Sequence, residues 1–446
     1  MLAENQVHTV TVGGFASEGQ GVARIDGQVV FVKGALPGET CRICIEHVGH
    51  RAAWARVEEI LTPSPDRLEP DCPYYALCGG CQTRHMAYPA ETAFKAGKVH
   101  DALKRIGGVD PGLVLLHGAK EPERYRNKVQ FPVAPGPAIG YYQERTHKVI
   151  NVPDCLLTPA CCAPIRAAVL DWMKTYRVPA YDESTHTGLV RHLYIRTNKE
   201  GEALVCILAN GRSLPQEDAL VSALQGAYDR LTGVVLGVNQ WKTNVILGDS
   251  YRTLWGRDYL MDTLRGLTFR LSVPSFFQVN RPQAEVLYGL AADFAGLTGT
   301  ETLLDLYCGT GTIGLILAAK AREVIGVEVV PEAVADAREN ALRNNVANAR
   351  YLCADAGQAA AQLAQEGVRP DVVVVDPPRK GLSGEVIDIL LHMPVKKIVY
   401  VSCDPATLAR DVKALSNAYT LTRTEAVDMF PRTHHVETCA LLRRKS

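Results

Sequence analysis

Two reactive side chains follow apolar, strand-like sequences in the C-terminal part of the chain. Asp376 follows VVVV and precedes two prolines, and Cys403 follows KIVYVS and precedes Asp404 and Pro405. Parallel strands end at one edge of a sheet, and ligands bind in the crevice outside that edge. A thiol there can act as a nucleophile, and Pro405 predicts a helix whose N-terminus favours the thiolate. The pattern favours a nucleophilic Cys403 over a packing cysteine, and a substrate-facing Asp376 over a helix cap.

A nucleophile at this edge needs a group that accepts and returns protons. The segment DMFPRTHHVE precedes the final strand-like sequence and can return to the same edge. Its last residue, Glu437, is the candidate base, and His434 and His435 are the alternatives. A solvated turn without a catalytic part is an equally simple interpretation of this segment.

The sequence DLYCGTGT ends one strand-like run and opens a helical one. Gly309, Gly311 and Gly314 match the spacing G-x-G-x-x-G, which lets backbone and ligand approach closely. Glu328 closes the next strand about 20 residues on, where a carboxylate can accept ribose hydroxyls. The motif is compatible with a nicotinamide dinucleotide or a nucleoside methyl donor, and a tight turn without a ligand is the third interpretation.

A cysteine-dense loop, CPYYALCGGCQTRH, predicts a metal site in the first half of the chain. The thiols of this loop are those of Cys72, Cys78 and Cys81. Cys155 follows a later strand-like run and is the candidate fourth ligand, with Cys161 and Cys162 as alternatives at the start of a helical stretch. Four thiolates suit either zinc or an iron–sulfur cluster, and clustered thiols among 13 cysteines indicate a reducing compartment.

These residues need elements that position them, and the sequence predicts three domains. Residues 1–62 form short strand-like runs with glycine turns, which are typical of a small β-barrel. Residues 72–265 contain the cysteines and a helix at about 89–106, which can pack on the catalytic domain. Residues 266–446 alternate strands and helices regularly, which predicts a parallel α/β sheet with crossover helices.

Composition sets limits on the partners and location of the protein. The 446 residues have no net charge, so a polyanion would need local basic patches. Between residues 84 and 148 there are eleven Lys or Arg against six Asp or Glu. Arg124, Arg126 and Lys128 alternate, so on a strand they would share one face, which is either a phosphate-binding face or an ordinary solvated one. No apolar run is long enough to span a membrane and no signal peptide is recognisable, so we expect a cytoplasmic protein.

The combined motifs resemble the RNA (uracil-5-)-methyltransferase family. The matching sequences are FFQVN at residues 276–280, DLYCGTG, DPPR, SCDP and the HVE ending. The resemblance extends over essentially the whole chain, includes a TRAM-like barrel, and is greatest to the bacterial 23S ribosomal RNA enzymes. It implies a Rossmann-like class I methyltransferase domain, an N-terminal barrel and a central α+β iron–sulfur domain.

The resemblance also implies roles for individual residues. S-adenosylmethionine would be held by Gln278, Tyr307, Gly309, Gly311, Thr312, Glu328 and Asp355, with Asp376 between the donor and the target base. Cys403 would add to carbon 6 of a flipped uracil in RNA, and Glu437 would remove the carbon 5 proton. A 4Fe-4S cluster would be held by Cys72, Cys78, Cys81 and Cys155. Thr312 departs from relatives that carry asparagine there, but its hydroxyl still offers a hydrogen bond.

Three alternatives stay open at this point. The same reaction on transfer RNA needs the same site residues. A nicotinamide-dependent oxidoreductase explains the glycine motif but neither Cys403 nor the DPPR turn. A non-catalytic RNA-binding iron–sulfur protein explains the cysteine loop and predicts that Cys403 is dispensable. Nothing in the sequence indicates an obligate protein partner.

Overall fold

The computed structural model describes residues 2–445. Its N-terminal part is a six-stranded curved sheet, the half-barrel, in the order β1-β5-β6-β4-β3-β2. The strands are β1 (Val7–Thr11), β2 (Gly14–Phe15), β3 (Gly21–Ile25), β4 (Gln28–Lys33), β5 (Thr40–Val48) and β6 (Ala52–Thr62). Small and β-branched residues fill its core, as Val30 and Val32 show on β4. The predicted run of short N-terminal strands is therefore confirmed.

The next elements leave the half-barrel and join the C-terminal sheet. Helix α1 (Tyr88–Arg105) begins with Pro89 in its first turn, where a missing amide costs nothing. Strand β7 (Leu115–His117) adds to the edge of the C-terminal sheet. The sequence places the helix in the central domain but expects that it can pack on the catalytic domain, and in the fold α1 does pack against the last helix of the chain.

The central region is a seven-stranded sheet in the order β10-β9-β8-β11-β12-β13-β14. Its elements are β8 (Lys128–Ala134), β9 (Ala138–Tyr142), β10 (Val149–Asn151), α2 (Cys162–Thr175), β11 (Val190–Thr197), β12 (Ala203–Ala209), α3 (Glu217–Ala227), β13 (Leu231–Val238) and β14 (Ser250–Gly256). Both helices cover one face and share an apolar core with the strands. A hairpin of β15 (Tyr259–Leu264) and β16 (Leu267–Ser272) follows and crosses the predicted domain boundary.

The C-terminal region is an eight-stranded sheet in the order β19-β18-β17-β20-β21-β23-β22-β7. Its further elements are α4 (Arg281–Ala295), β17 (Thr302–Leu306), α5 (Thr312–Ala318), β18 (Glu323–Glu328), α6 (Pro331–Arg343), β19 (Ala349–Cys353), α7 (Ala356–Gln365), β20 (Val372–Val375), α8 (Gly384–His392), β21 (Lys397–Ser402), α9 (Pro405–Leu415), β22 (Tyr419–Val427) and β23 (Glu437–Arg444). Strands β17 to β21 are parallel, as the sequence predicts.

The order of these strands creates the crevice that the site occupies. The chain runs outward from β17 through β18 to β19, and then returns to place β20 on the other side of β17. Loops leaving β17 and β20 therefore diverge, and ligands of open α/β sheets bind at such a switch point. Strand β20 is valine throughout and fully buried, because both faces of a parallel sheet are covered by helices.

Across residues 2–445, none of the helices combines the length and the apolar character that a membrane span needs.

Candidate active site

Cys403 lies at the rim of the C-terminal sheet. It follows β21, whose last residue, Ser402, pairs with Thr438 of antiparallel β23. Continued by one residue, this register sets Cys403 against Glu437. Cys403 is half-buried and lines a cavity of about 1570 Å³ together with Arg379, among others. The predicted position at a ligand-facing strand end is therefore present in the fold.

The thiol of Cys403 is held in its neutral form, which corrects the expectation of a thiolate. Burial, followed by the negative charges of Glu437 and Asp376, raises its pKa to about 11, although Arg379 acts in the opposite direction. The N-terminus of α9 does not compensate, because the Asp404 carboxylate already accepts the amides of Ala406 and Thr407 at 2.8 and 3.0 Å. Attack by this sulfur consequently needs a nearby proton acceptor.

Three acids around the crevice have pKa values near neutrality. Burial, followed by the charge of Asp376, raises the pKa of Glu437 to about 8. Burial raises the pKa of Asp376 to about 7, and that of Asp305 to about 7 as well. Carboxyl groups with such pKa values are stronger bases than ordinary carboxylates and can exchange protons at neutral pH.

The two histidines beside Glu437 are weaker bases. Burial, aided by the positive charge of Lys98, lowers the pKa of His434 to about 4. Burial and the adjacent His434 lower that of His435 to about 3. Both line the cavity with Cys403. Because a group with a higher pKa holds a proton more strongly, Glu437 is the better candidate.

Tyr288 is a site residue that the sequence does not single out. Its side chain on α4 is 3% exposed, and its pKa is raised by burial and by the charge of Asp376, while Gln278 acts in the opposite direction. Its neutral hydroxyl therefore lies near the glutamine of FFQVN and the aspartate of DPPR. No sequence signal distinguishes it from an ordinary core tyrosine in an amphipathic helix.

The glycine loop has the tight geometry that the sequence predicts. Gly309 and Gly311 have φ values of 53° and 80°, which glycine adopts without strain. Tyr307 also has a positive φ, 62°, which costs a side-chain-bearing residue free energy and marks a constrained turn. Thr312 begins α5 immediately after the loop, and its hydroxyl lies 3.3 Å from that of Thr310.

Two carboxylates accept hydrogen bonds from backbone amides of this loop and of the helix that follows it. Glu328 accepts the amide of Gly309 at 3.1 Å and those of Val329 and Val330 at 2.9 and 3.0 Å. Asp305 accepts the amide of Gly314 at 2.8 Å, while its other oxygen is buried without a protein partner. The strained turn, the held carboxylate and the orphaned oxygen fit a bound nucleoside that brings hydrogen-bond donors.

Asp355, the outermost of the expected donor-site residues, caps a helix. Its side chain is exposed and accepts the amide of Gln358 at 2.8 Å at the start of α7. It follows β19, the strand beside β18, so it stands at the same edge of the sheet as Glu328.

The FFQVN sequence joins three parts of the molecule. The amide side chain of Asn127 donates to the carbonyl of Gln278 at 2.9 Å, and the backbone amide of Asn127 donates to Val279 at 2.8 Å. Asn280 caps α4 by accepting the amide of Gln283, and it donates to the carbonyl of Met429 at 3.0 Å. The motif therefore fixes the central sheet against α4 and the segment that leads to Glu437.

Residues 428–437, the catalytic loop, are held by a buried network from α1. Lys95 donates to Glu91 and Asp428, each at 2.7 Å, and all three side chains are fully buried. Tyr88 donates to the second oxygen of Asp428 at 2.8 Å, and Lys98 donates to the carbonyl of His434 at 3.0 Å. Sequence reasoning missed this network, because a Glu–Lys pair four residues apart looks like a surface pair.

The prediction that Arg124, Arg126 and Lys128 share one face of a strand is wrong. Arg124 has a φ of 53° and lies outside β8, which begins only at Lys128. Its guanidinium pairs with Asp154 and donates to the carbonyl of Cys155 at 2.9 Å. Arg126 also precedes the strand, at an isolated bridge to Asn280, and burial lowers the pKa of Lys128 to about 8. Local turns at these residues override the alternation that the sequence suggests.

The four candidate cluster thiols lie near enough to one another for their charges to affect the pKa of Cys81. Burial raises the pKa of Cys81 to about 12, and charges from Cys155, Cys78 and Cys72 add to it. The Gly80 amide approaches the Cys78 sulfur at 3.4 Å, and a side chain on Gly79 would meet the Glu144 backbone. The alternatives, Cys161 and Cys162, stand at the start of α2 and are buried in the core of the central sheet. Within residues 2–445, no group of three or more His, Cys, Asp or Glu side chains is arranged to hold a metal ion.

The switch-point crevice, its glycine loop and the acids beside it define an S-adenosylmethionine-dependent methyltransferase of α/β fold. The family model described as tRNA (Uracil-5-)-methyltransferase matches residues 238–445, and that of the TRAM domain matches residues 2–57. The chain belongs to the RNA (uracil-5-)-methyltransferase family. This membership decides against the nicotinamide-dependent alternative.

Full-length relatives agree with this assignment. The chain is 41% identical to an uncharacterised RNA methyltransferase of Halalkalibacterium halodurans, over 99% of this chain and 98% of the relative. It is 39% identical to one of Clostridium tetani, over 99% and 97%. Among solved structures, the tRNA (uracil-54, C5)-methyltransferase of Pyrococcus abyssi in complex with S-adenosyl-L-homocysteine has a TM-score of 0.78 and 27% identity, covering 98% of this chain and 100% of that one.

Proposed function

We propose that this enzyme methylates carbon 5 of a uridine in RNA and that Cys403 is its nucleophile. The observation that carries the proposal is one half-buried thiol that lines a large cavity and experiences the negative charges of Glu437 and Asp376. Both acids have pKa values near neutrality, so either can accept the proton of the thiol. Simple packing explains neither the acids nor the open cavity.

The chemistry follows from the weakness of carbon 5 as a nucleophile. The Cys403 sulfur gives its proton to a carboxylate and bonds to carbon 6, which places negative charge on carbon 5. S-adenosylmethionine supplies the electrophilic methyl group that carbon 5 takes up. Glu437 then removes the carbon 5 proton, the bond from carbon 6 to sulfur breaks, and the aromatic ring is restored. Attack on the ring face requires an unstacked base.

We propose the following division of roles for the remaining site residues. The methyl donor is held by Gln278, Tyr307, Gly309, Gly311, Thr312, Glu328 and Asp355. Asp376 lies between donor and base, where its own near-neutral pKa lets it share protons with Cys403. Tyr288 is a buried neighbour of this site whose pKa is affected by Asp376 and Gln278.

The RNA substrate that we propose is 23S ribosomal RNA, with transfer RNA as the second candidate. The sequence motifs resemble the ribosomal enzymes most, whereas the solved structure of similar fold is named for a tRNA uridine. We propose that the half-barrel at residues 1–62 and the central region at residues 72–265 hold this RNA, with Arg124, Arg126 and Lys128 among the contacts, and that residues 266–446 carry out the chemistry. An enzyme that acts on this RNA works where the RNA matures, so we propose that the protein is located in the cytoplasm.

We also propose that Cys72, Cys78, Cys81 and Cys155 hold a 4Fe-4S cluster. What supports the proposal is that the charges of Cys155, Cys78 and Cys72 all act on Cys81, and that four thiolates suit such a cluster. Its role would be structural, because it ties the cysteine loop to the central sheet.

Covalent trapping tests the function. Fluorine at carbon 5 cannot be removed as a proton, so RNA containing 5-fluorouridine should stay bonded to the enzyme after methyl transfer. Mass spectrometry of the adduct should locate the bond at Cys403; an adduct at another residue would refute the proposed nucleophile. Mapping of 5-methyluridine in RNA from cells with and without the gene then distinguishes ribosomal from transfer RNA.

A further inference from the structure

The outer face of the half-barrel carries a row of apolar and aromatic side chains. The strand registers pair Val22 with Phe31, Phe31 with Trp54, and Trp54 with His47. Neighbouring rings touch at an angle, with centroids 5.8 Å apart for Phe31 and Trp54 and 5.6 Å for Trp54 and His47. We name the pair Phe31 and Trp54 the aromatic ledge.

The aromatic ledge is not part of the half-barrel core. The core consists of the opposite pleat, which includes Val30, Val32, Ala53 and Ala55, all nearly or fully buried. Phe31 and Trp54 are only half-buried, although one closed core is already complete behind them. Large aromatic groups that a fold leaves partly open on its outer face indicate a binding surface.

The ledge and the nucleophile share one cavity. Trp54 and Phe31 form one part of its wall, and Cys403 and Arg379 form another. Phe15 of the half-barrel and Phe94 of α1 meet at 4.7 Å and join the two parts. The volume of about 1570 Å³ exceeds the roughly 300–1,000 Å³ of a typical small-molecule site, so the target uridine alone would not fill it.

We propose that the aromatic ledge stacks one unpaired base of the substrate RNA next to the extruded uridine. The inference rests on the proposed function, because it needs the uridine to occupy the same cavity at Cys403. A base that leaves its helix also breaks the stacking of its neighbour, and an aromatic surface in the cavity replaces that lost contact. The ledge is therefore a positioning element that holds the strand while Cys403 attacks.

We expect stacking, rather than charge, to supply most of the RNA affinity of this wall. The cavity contains Arg24, Lys98, Arg105 and Arg379, but also Glu18, Asp101 and Asp404, so the charges nearly balance. Several are already engaged: Arg105 pairs with Asp101 at 3.0 Å, and Lys98 donates to the catalytic loop. Arg24 donates to the Gly27 carbonyl at 3.0 Å rather than to a carboxylate, which leaves it as one cation free to face a phosphate.

Binding measurements with Trp54 variants test the proposal. Trp54→Leu keeps an apolar side chain against Phe31 but removes the flat ring, and we expect RNA to bind about tenfold more weakly, as for loss of one base–aromatic stack. Trp54→Phe should bind nearly as well as the wild type. The control is Leu342→Ala, at an exposed apolar side chain on α6 outside both the cavity and the proposed RNA-binding regions, which should leave the dissociation constant unchanged. The probe is an RNA fragment that the wild-type enzyme methylates.

Three results would overturn the proposal. These are an unchanged dissociation constant for Trp54→Leu, an equal loss for Trp54→Phe, and a changed dependence of binding on salt, which would indicate lost phosphate contacts instead. Single-turnover methylation at saturating RNA separates this inference from the proposed function. If the wild type forms no 5-methyluridine and no 5-fluorouridine adduct, the function fails. If the wild type is active and Trp54→Leu binds RNA as tightly as the wild type does, the ledge inference fails while the proposed function stands.

Discussion

The two thiol-bearing regions of this molecule are built in opposite ways. Cys403 follows a buried parallel strand, and the register of β21 with β23 sets its acidic neighbour. The cysteine loop instead consists of turns, and Cys78 has only an isolated bridge to Gln143. The surroundings of Cys403 are therefore set by strand pairing within the sheet. The cysteine loop is formed by turns, and under our proposal a bound cluster would fix the final positions of its thiols.

The same burial has different consequences in the two regions. It raises the pKa of Cys403 to about 11 and that of Cys81 to about 12. At the rim, carboxyl groups with pKa values near neutrality can take the proton away. In the cysteine loop the neighbours are other thiols, and a metal-bound group would have to displace their protons. The partners of a thiol, more than its burial, decide its chemistry.

Removal of the Cys403 sulfur should give the largest effect. We expect Cys403→Ala to lower methyl transfer by on the order of 10⁴-fold or more, because no other group replaces the nucleophile. RNA binding, measured by filter retention, should persist. Cys439→Ala is the matched control, since this thiol is buried in β23 opposite Val401 and should cost only on the order of 1 kcal/mol of stability. Retained turnover in Cys403→Ala would show that Cys403 is not the nucleophile and would remove the contrast between the two thiol-bearing regions.

Neutralising the base should slow a later step. Glu437→Gln keeps the size of the side chain but cannot accept the carbon 5 proton, so turnover should fall by about 10²–10⁴-fold. The covalent RNA adduct should accumulate and be visible on denaturing gels. Glu425→Gln is the control, because this buried acid on β22 pairs with Arg423 and His117 outside the cavity. Normal turnover by Glu437→Gln would show that another group removes the carbon 5 proton.

The raised pKa of Glu437 also predicts how stability depends on pH. In the folded protein its pKa is about 8, above the ordinary 4.5, so the fold retains a proton that the unfolded chain releases. Its contribution to the free energy of unfolding is present at low pH and is lost as the pH rises toward 8, by up to ~1.4 kcal/mol per pH unit. Denaturant titrations should show wild type losing stability relative to Glu437→Gln between about pH 5 and about pH 8. A pH-independent difference would mean that Glu437 is not protonated in the fold.

Disruption of the cysteine loop should affect catalysis least. Cys78→Ser should remove iron and lower the melting temperature, while methyl transfer by the remaining folded enzyme falls by less than about tenfold. Iron analysis and thermal unfolding measure the two effects. Cys353→Ser, at an exposed thiol at the end of β19, should retain its iron. Unchanged iron in Cys78→Ser would show that Cys78 is not a ligand and would remove the contrast between the two regions.

Much of the C-terminal fold could be predicted from sequence because its signals are local. Valine-rich runs such as 372–375 predict buried parallel strands, and the chain direction then puts Asp376 and Cys403 at one edge. The helix α1 was predicted within one residue at each end. The positive φ angles of Gly309 and Gly311 follow from a turn that glycine makes possible.

Other features depend on contacts between distant parts of the chain, and local patterns do not contain them. Strand β7 has three residues, which are too few to show the alternation of apolar and polar residues that marks a strand. It forms because it pairs with β22. Tyr288 becomes a site residue only because α4 lies over the crevice. Arg124 was expected on a strand, but its pairing with Asp154 and its left-handed backbone place it in a turn.

The sequence by itself determined which parallel strands end in reactive residues and in what order these strands follow one another. It also determined the family to which the chain belongs. The tertiary structure alone decided that the Lys95 network holds the catalytic loop, that the Cys403 thiol is neutral, and that a barrel face of another domain opens onto the same cavity. The physical reason is that residue type and spacing encode local periodicity. Burial and electrostatic environment, however, arise only when segments hundreds of residues apart come into contact.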